Sequence, residues 1–171
     1  IYISRKTGYG NALIEGINSV KSKYFCIFNA DGSFDPNEIE VMIKKINDES
    51  CDFIFGSRYE KNSGSEDDTI VTKIGNYIFT LIGKIFFSLN ISDVLYTFVL
   101  GKTESAKKLN LKQKDFSFCV ELPIKAKRQN MKLETINCYE RKRIGGKKKV
   151  NAFKDGYLIL IYMIKLFFRK K

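Results

Sequence analysis

The stretch Tyr24-Phe25-Cys26-Ile27-Phe28-Asn29-Ala30-Asp31-Gly32 joins a short apolar run to a polar turn. The continuous apolar run predicts a strand that is covered on both faces of a sheet. Asn29 and Asp31 are two residues apart, so on an extended backbone their side chains project to the same side. An oxygen-ligand pair at the carboxyl end of a strand predicts a site for Mg²⁺ or Mn²⁺ against a diphosphate. An ordinary Asp-Gly turn is the alternative interpretation.

Strand-like and helix-like segments alternate on both sides of this stretch, which favours an α/β sheet flanked by helices. Upstream, the glycines of residues 8–10 precede a predicted helix and could bring backbone N–H groups close to a phosphate. Downstream, Asp35 and Glu38 predict a helix start with an N-cap and a capping box. A second buried strand is predicted over residues 51–55, and Arg58 follows it as a fixed cation.

The composition excludes several classes of protein. The 171 residues include 30 Lys+Arg, 19 Asp+Glu and no histidine, so Ser-His, Cys-His and His-ligated metal mechanisms are excluded within this chain. Residues 1–99 carry a net charge of −3 and residues 100–171 a net charge of +14, which points to phosphate-bearing partners. A nucleic-acid-binding domain is an alternative, but zinc spacing, an RNP-like aromatic pair and a helix-turn-helix pattern are absent from the sequence. The four cysteines lack metal-type spacing and are predicted to be reduced thiols in a cytosolic environment.

Two apolar segments raise the question of a membrane. Polar and charged interruptions in residues 70–89 favour an amphipathic helix on the core or on a membrane surface over a spanning helix. The apolar segment 156–168 has basic flanks, so it either packs on the sheet or lies on an anionic membrane surface. The polar segment 59–68 between the predicted strand and the first apolar helix is expected to be a mobile loop.

Seven short motifs follow one another along the chain, and the ordered set is more specific than any member. They are Gly8-x-Gly10-x-Ala12-x-x-x-Gly16, Asn29-Ala30-Asp31-Gly32, Asp35-Pro36, Gly56-Ser57-Arg58, Ser92-Asp93, Phe118-x-x-Glu121-Leu122 and Arg143-x-Gly145-Gly146-Lys147. The series resembles the family 2 glycosyltransferases, in the branch similar to dolichol-phosphate mannosyltransferase and bacterial polyprenyl-phosphate sugar transferases. The resemblance implies a GT-A fold with a mixed, mostly parallel sheet flanked by helices. It also implies that the family's N-terminal nucleobase-binding elements are missing here.

The resemblance assigns a donor site to the predicted turn. Asp31 matches the second acid of a D-x-D-type motif, which holds Mg²⁺ or Mn²⁺ on the donor diphosphate, and Asn29 stands where the first acid is usual. Both are therefore expected metal ligands, with one negative charge fewer than the family pattern. The other residues that the resemblance places near the donor or its diphosphate are Gly8, Gly10, Arg58, Arg143 and Lys147.

The resemblance implies catalytic roles for two further carboxylates. Asp93 matches an acid near the acceptor, which would orient or deprotonate it, and Glu121 matches the acid of a Glu-Leu element. Residues 96–99 depart from the family's Gly-Phe-Arg pattern, and the missing arginine puts the acceptor phosphate contact in doubt.

The resulting hypothesis is a metal-assisted transfer of a sugar from a nucleoside-diphosphate sugar to a polyprenyl-phosphate or glycan acceptor. It includes a role in cell-envelope polysaccharide or glycolipid synthesis, peripheral membrane contact at the cytoplasmic face, and no specific nucleic acid. Residues 1–150 are interpreted as a partial GT-A domain and 151–171 as a C-terminal apolar helix. The chain alone is expected to be inactive if it is truncated, and a non-catalytic remnant of the same fold is the alternative.

Overall fold

The computed structural model describes residues 7–146 and 150–169. Its helices are α1 (Tyr9–Ser19), α2 (Asn37–Asp48), α3 (Ile70–Phe87), α4 (Thr103–Lys108), α5 (Phe118–Arg128) and α6 (Ala152–Phe168). Its strands are β1 (Tyr24–Ile27), β2 (Phe53–Ser57), β3 (Gly64–Ser65), β4 (Val99–Lys102), β5 (Leu133–Asn137) and β6 (Tyr139–Glu140). Lys147, one of the expected donor-site residues, lies outside the described residues.

The main sheet has the strand order β1-β4-β2-β5. Strand β4 runs antiparallel to both β1 and β2, and β2 runs parallel to β5. Strands β1, β2 and β5 therefore point in one direction and β4 in the other, which confirms the predicted mixed, mostly parallel sheet. Because β1 and β2 point the same way, the residues that follow them meet at one edge of the sheet.

Helices cover both faces of this sheet, and β2 shows how the sequence directs its side chains. Phe53 and Phe55 belong to one buried cluster and Ile54 to another, since successive side chains of a strand point to opposite faces. The first cluster also receives buried side chains from α1, α5 and α6. The second receives Met42 and Ile46 from α2. The core thus has two layers, with the sheet between them.

The start of α2 differs from the expected capping box. The Asp35 carboxylate accepts the backbone N–H of Asn37 at 3.0 Å, which places the acceptor at the helix start as expected. The Glu38 carboxylate, however, accepts the backbone N–H of Tyr139 at 3.0 Å instead of turning back on its own helix. The predicted capping box is therefore wrong, because the Glu38 side chain accepts a hydrogen bond from the backbone of β6 instead.

The polar loop 59–68 contains a short strand. Gly64 and Ser65 form β3, which pairs in parallel with β6 in a separate two-stranded sheet. The loop is therefore docked on the segment just before the basic stretch that begins at residue 141.

Helices α3 and α6 pack against each other, and both leave apolar side chains exposed. Among the described residues α3 is the helix that is long and apolar enough to cross a membrane, and only 11% of it is buried. Helix α6 contributes Ile159, Tyr162, Met163 and Leu166 to the larger core cluster. It therefore packs on the body of the protein, as one of the two alternatives predicted, while another face stays open. The boundary at residue 150 remains a prediction about sequence organisation.

All four cysteines are free. Cys51, Cys119 and Cys138 are buried, and Cys26 is partly buried. Burial raises the pKa of the Cys26 thiol to about 11 and that of the Cys119 thiol to about 12. These thiols are therefore protonated and weakly nucleophilic near neutral pH.

Candidate active site

A cleft of about 1150 Å³ opens where β1 and β2 end, between α3 and α6. Five of the residues predicted from the sequence line it: Gly8, Asn29, Asp31, Arg58 and Arg143. The structure thus brings together residues from four separate segments of the chain. Gly10, Asp93 and Glu121 are not among the lining residues, and each has a different place in the fold.

The Asp31 carboxylate presents one oxygen to the cleft and keeps the other in its own turn. Oδ1 accepts the backbone N–H of Ser33 at 3.1 Å and the Ser33 hydroxyl at 2.6 Å. Oδ2 lies 3.6 Å from Nη1 of Arg143. The nearby Asn29 amide has no hydrogen-bond partner among the described residues. Carboxylate and amide oxygens suit Mg²⁺ or Mn²⁺, so the donor set fits a hard divalent cation.

The basic loop 141–146 is docked on this turn through its backbone. The Ile144 N–H donates to the Asp31 carbonyl at 2.8 Å, and the Arg141 N–H donates to the Ser33 carbonyl at 2.9 Å. Gly32 lies between these contacts with φ +86°, and a Cβ atom there would be 2.7 Å from Cδ1 of Ile144. The glycine of the turn is therefore favoured by its left-handed backbone, while the exposed Ile144 side chain packs against it.

The side chain of Arg143 is held by a carboxylate that the sequence analysis missed. Nε and Nη2 of Arg143 donate to the two oxygens of Asp67 at 3.1 and 2.7 Å. The hydrogen bonds that this carboxylate accepts raise the pKa of Arg143 above its usual value. The acidic run over residues 66–68 indicates a charged contact, but it does not identify the partner, because Arg143 lies 76 residues from Asp67 along the chain.

Asp93 is not among the described residues that line the cleft, and its expected contact with an acceptor stays a prediction. Its carboxylate is fully buried and accepts four hydrogen bonds. Arg58 supplies Nε at 2.7 Å, Nη2 at 3.0 Å and its backbone N–H at 3.1 Å, and Asn76 of α3 supplies Nδ2 at 2.5 Å. Because these donors saturate both oxygens, the geometry supports Asp93 as the counter-ion of Arg58 rather than as a base.

Arg58 lies in the floor of the cleft in an internal ion-pair network. Its Nη1 donates to Glu140 at 2.9 Å, and its guanidinium lies 4.4 Å from the centre of the Tyr96 ring. Burial alone would lower the pKa of Arg58, but Asp93 and Glu140 outweigh it and raise that pKa. The guanidinium is thus permanently charged and already matched by carboxylates. It is less free to bind a diphosphate than the sequence analysis expected.

Glu121 is a buried residue that joins three elements away from the cleft lining. Its carboxylate accepts the backbone N–H groups of Lys112 and Gln113 at 2.8–3.0 Å, Nζ of Lys125 at 2.7 Å and the Tyr162 hydroxyl at 3.0 Å. The loop before α5, helix α5 and helix α6 are therefore tied together at this side chain. This geometry supports a positioning role and does not support the expected catalytic one.

The loop before α5 also explains why residues 8 and 10 are glycines. A Cβ atom on Gly10 would lie 2.1 Å from the Gln113 carbonyl oxygen, and one on Gly8, where φ is +107°, would lie 2.5 Å from the Lys114 carbonyl oxygen. The loop that Glu121 holds thus packs backbone to backbone against the start of α1. Gly8 also borders the cleft, whereas Gly10 is required by packing alone.

Carboxylates outnumber cations in the described lining of the cleft. The acidic side chains there are Asp31, Asp67, Asp68, Glu140 and Asp155, and the basic ones are Arg58 and Arg143. Three lysines, residues 147–149, follow the lining residue Gly146 and lie outside the described part of the chain, so this count applies to the described lining alone.

The walls of the cleft are apolar near the exposed helices α3 and α6. They are formed by Val71, Ile74 and Ile78 of α3 and by Phe153, Tyr157 and Leu160 of α6. One cleft therefore combines a charged end at the sheet edge with an apolar end between two helices.

Comparison with known proteins identifies the family. The model of the family "Glycosyl transferase family 2" matches residues 1–109. The chain belongs to this family. The matched region contains the family 2 segments that supply Asn29, Asp31, Arg58 and Asp93, whereas Arg143 lies beyond it.

One curated relative matches most of the chain. An uncharacterized protein of Methanocaldococcus jannaschii is 28% identical over 134 residues, which cover 75% of this chain and 55% of that protein. The chain therefore spans about half the length of this curated relative.

Solved structures share the fold. Glucosyl-3-phosphoglycerate synthase from Mycobacterium tuberculosis, in complex with Mn²⁺, UDP and phosphoglyceric acid, has a TM-score of 0.73 at 10% identity, over 99% of this chain and 57% of that one. The same synthase with Mg²⁺ and UDP has a TM-score of 0.71 at 9% identity, over 95% of this chain and 56% of that one. At such identity the likeness shows the GT-A fold, and the dolichol-phosphate branch stays a prediction.

Proposed function

We propose that this family 2 protein transfers a sugar from a nucleoside-diphosphate sugar to an acceptor, with the donor diphosphate at the charged end of the cleft. The observation that carries the proposal is Oδ2 of Asp31, which accepts no hydrogen bond from the described residues and lies in the same turn as Asn29, where β1 ends at the edge of the sheet. Family membership and the shared GT-A fold support it.

Asp31 and Asn29 are the residues that would hold Mg²⁺ or Mn²⁺. When bound, the cation supplies positive charge that stabilises the leaving diphosphate. Arg143 lies beside Asp31 and adds a second positive charge over the same position. Arg58, locked by Asp93 and Glu140, keeps the floor of the cleft rigid.

The acceptor that fits this cleft best is a polyprenyl phosphate rather than a glycan. The apolar walls from α3 and α6 would take the hydrocarbon chain, and the phosphate would lie toward the arginines. A phosphate acceptor is already anionic, so it needs no general base. This agrees with the burial of Asp93 and Glu121, neither of which is available for proton transfer from the cleft.

The proposal extends to a position on the cytoplasmic face of a membrane and to a role in cell-envelope synthesis. Helices α3 and α6 expose large apolar side chains side by side, including Tyr77, Ile85, Phe153 and Phe168. Lysines on both helices flank these side chains, which suits an interfacial helix pair on anionic lipid.

The donor assignment is tested by saturation-transfer NMR on the full-length protein with a panel of nucleoside-diphosphate sugars and Mg²⁺. We expect saturation transfer to the protons of at least one donor, and loss of that signal when EDTA removes the cation. A panel in which every donor remains silent would count against the proposed function.

Membrane contact is tested with an apolar-to-acidic substitution on α3. We expect Ile85→Glu to weaken binding to phosphatidylcholine–phosphatidylglycerol vesicles by about tenfold or more, because a buried isoleucine contributes about 1.5–3 kcal/mol. Val41→Glu on α2 is the matched control, since both side chains are more than half exposed but lie on different helices. Vesicle co-sedimentation at low and high salt measures the effect. Equal binding by both variants, or no binding by the unaltered protein at low salt, contradicts the membrane position.

A further inference from the structure

The Arg143 side chain and a cation at Asp31 would use the same carboxylate oxygen. Oδ1 of Asp31 is occupied by the backbone and hydroxyl of Ser33, so Oδ2 is the oxygen that remains for the cleft. Nη1 of Arg143 approaches this Oδ2 at 3.6 Å, which is an ion pair but longer than a hydrogen bond.

Asp67 accounts for that longer distance. It takes the two well-formed hydrogen bonds of the guanidinium, from Nε at 3.1 Å and Nη2 at 2.7 Å. A paired, planar contact of this kind fixes the orientation of an arginine. The Arg143 guanidinium is therefore oriented toward Asp67, and it remains too far from Asp31 to form a hydrogen bond.

The loop is also held by its backbone, apart from this side-chain pair. The backbone N–H groups of Ile144 and Arg141 donate to the turn that carries Asp31, at 2.8 and 2.9 Å. Removing either side chain of the Arg143–Asp67 pair would leave both of these hydrogen bonds in place. The charge of Arg143 can therefore be altered separately from the docking of its loop.

We propose that Asp67 is a positioning residue that sets the affinity of the Asp31 site for a divalent cation, by holding the competing charge of Arg143 away from Oδ2. The inference rests on the proposed function in placing the cation at Asp31. It adds Asp67 to that site and predicts the direction in which each substitution changes the affinity for the cation. Loss of the Asp67 charge releases Arg143 onto Asp31 and weakens cation binding, whereas loss of the Arg143 charge strengthens it.

The test measures binding of Mn²⁺ alone to the full-length protein, from the decrease of the free-ion EPR signal. We expect Arg143→Gln to tighten binding and Asp67→Asn to weaken it, each by about tenfold, because each removes one charge close to the site. Arg141→Gln is the matched control: it removes the same charge from the same loop, but its guanidinium pairs with Asp35 and is not part of the described cleft lining. Its Mn²⁺ affinity should be unchanged.

The opposite signs separate this inference from a structural salt bridge, and the double variant separates it from the direct charge of Asp67. With Arg143→Gln in place, Asp67→Asn should weaken Mn²⁺ binding by clearly less than the same substitution does in the unaltered protein, and an equal weakening in both backgrounds overturns the positioning role. If Arg143→Gln and Asp67→Asn both weaken Mn²⁺ binding, the pair only supports the loop and the inference is overturned, while the cation site itself stands. If the unaltered protein does not bind Mn²⁺, or Asp31→Asn binds it as tightly, the cation assignment of the proposed function fails and the inference fails with it. Thermal melting of each variant verifies that it is folded.

Discussion

Replacing Asp31 with alanine in the full-length protein should lower the rate of sugar transfer by about three orders of magnitude, which is the scale of losing one charge-stabilising group in an active site. The substitution removes the oxygen that faces the cleft and leaves Arg143 paired with Asp67 alone. The loss of the oxygen that would hold the cation reduces the stabilisation of the leaving diphosphate, and the nearby Arg143 charge does not replace a divalent cation. Release of the nucleoside diphosphate under saturating donor measures the rate.

Asp35→Ala is the matched control for this experiment. Asp35 lies four residues further along the chain, and its carboxylate pairs with Arg141 and caps the start of α2. It is not among the described residues that line the cleft, so the rate should stay within about twofold while stability falls by about 1 kcal/mol from the lost cap. Retention of more than about a tenth of the activity by Asp31→Ala would contradict the donor assignment.

Asp93→Ala should produce the largest loss of stability, about 3–5 kcal/mol in the free energy of unfolding, because it leaves the Arg58 guanidinium buried without its main partner. Urea denaturation measures the change. Asp93→Asn should be destabilised less, since the amide oxygen can still accept two of the four hydrogen bonds. The order of stability expected is therefore unaltered protein, Asp93→Asn, then Asp93→Ala.

Asp48→Ala on the exposed end of α2 is the control for loss of a carboxylate, with an expected change within about 0.5 kcal/mol. The opposite result is informative about mechanism. If Asp93→Ala were as stable as Asp48→Ala but lost all transfer activity, Asp93 would be the acceptor-side acid that the family resemblance implies. A large loss of stability supports its role as a counter-ion.

Local patterns predicted the elements of this fold well where a short segment holds all the necessary information. The apolar run at residues 24–28 contains β1, and the Asn29–Asp31 turn lies at the end of this strand in the cleft. The capping box at Glu38 failed because its partner comes from Tyr139, 101 residues away. A motif of four residues contains no information about such a partner.

The candidate site shows the same difference between residues that a short motif identifies and residues whose partners are distant in sequence. Asn29, Asp31, Arg58 and Arg143 were identified because each belongs to a motif of the family, and the structure places all four in one cleft. Asp67 was missed because a charged residue in a polar loop is ordinarily solvated, and its arginine partner is remote in sequence.

The sequence by itself determined the α/β class, the family and the turn that presents Asp31, because these depend on residue types at short spacing. Only the tertiary structure decided which charged side chains reach the cleft and which are buried and paired inside the protein. Asp93 and Glu121 carry the same chemical group as Asp31, but hydrogen-bond donors from other elements of the fold saturate them in buried surroundings. A buried carboxylate must be paired, so packing, rather than residue type, separates a structural acid from one that is free to bind a ligand.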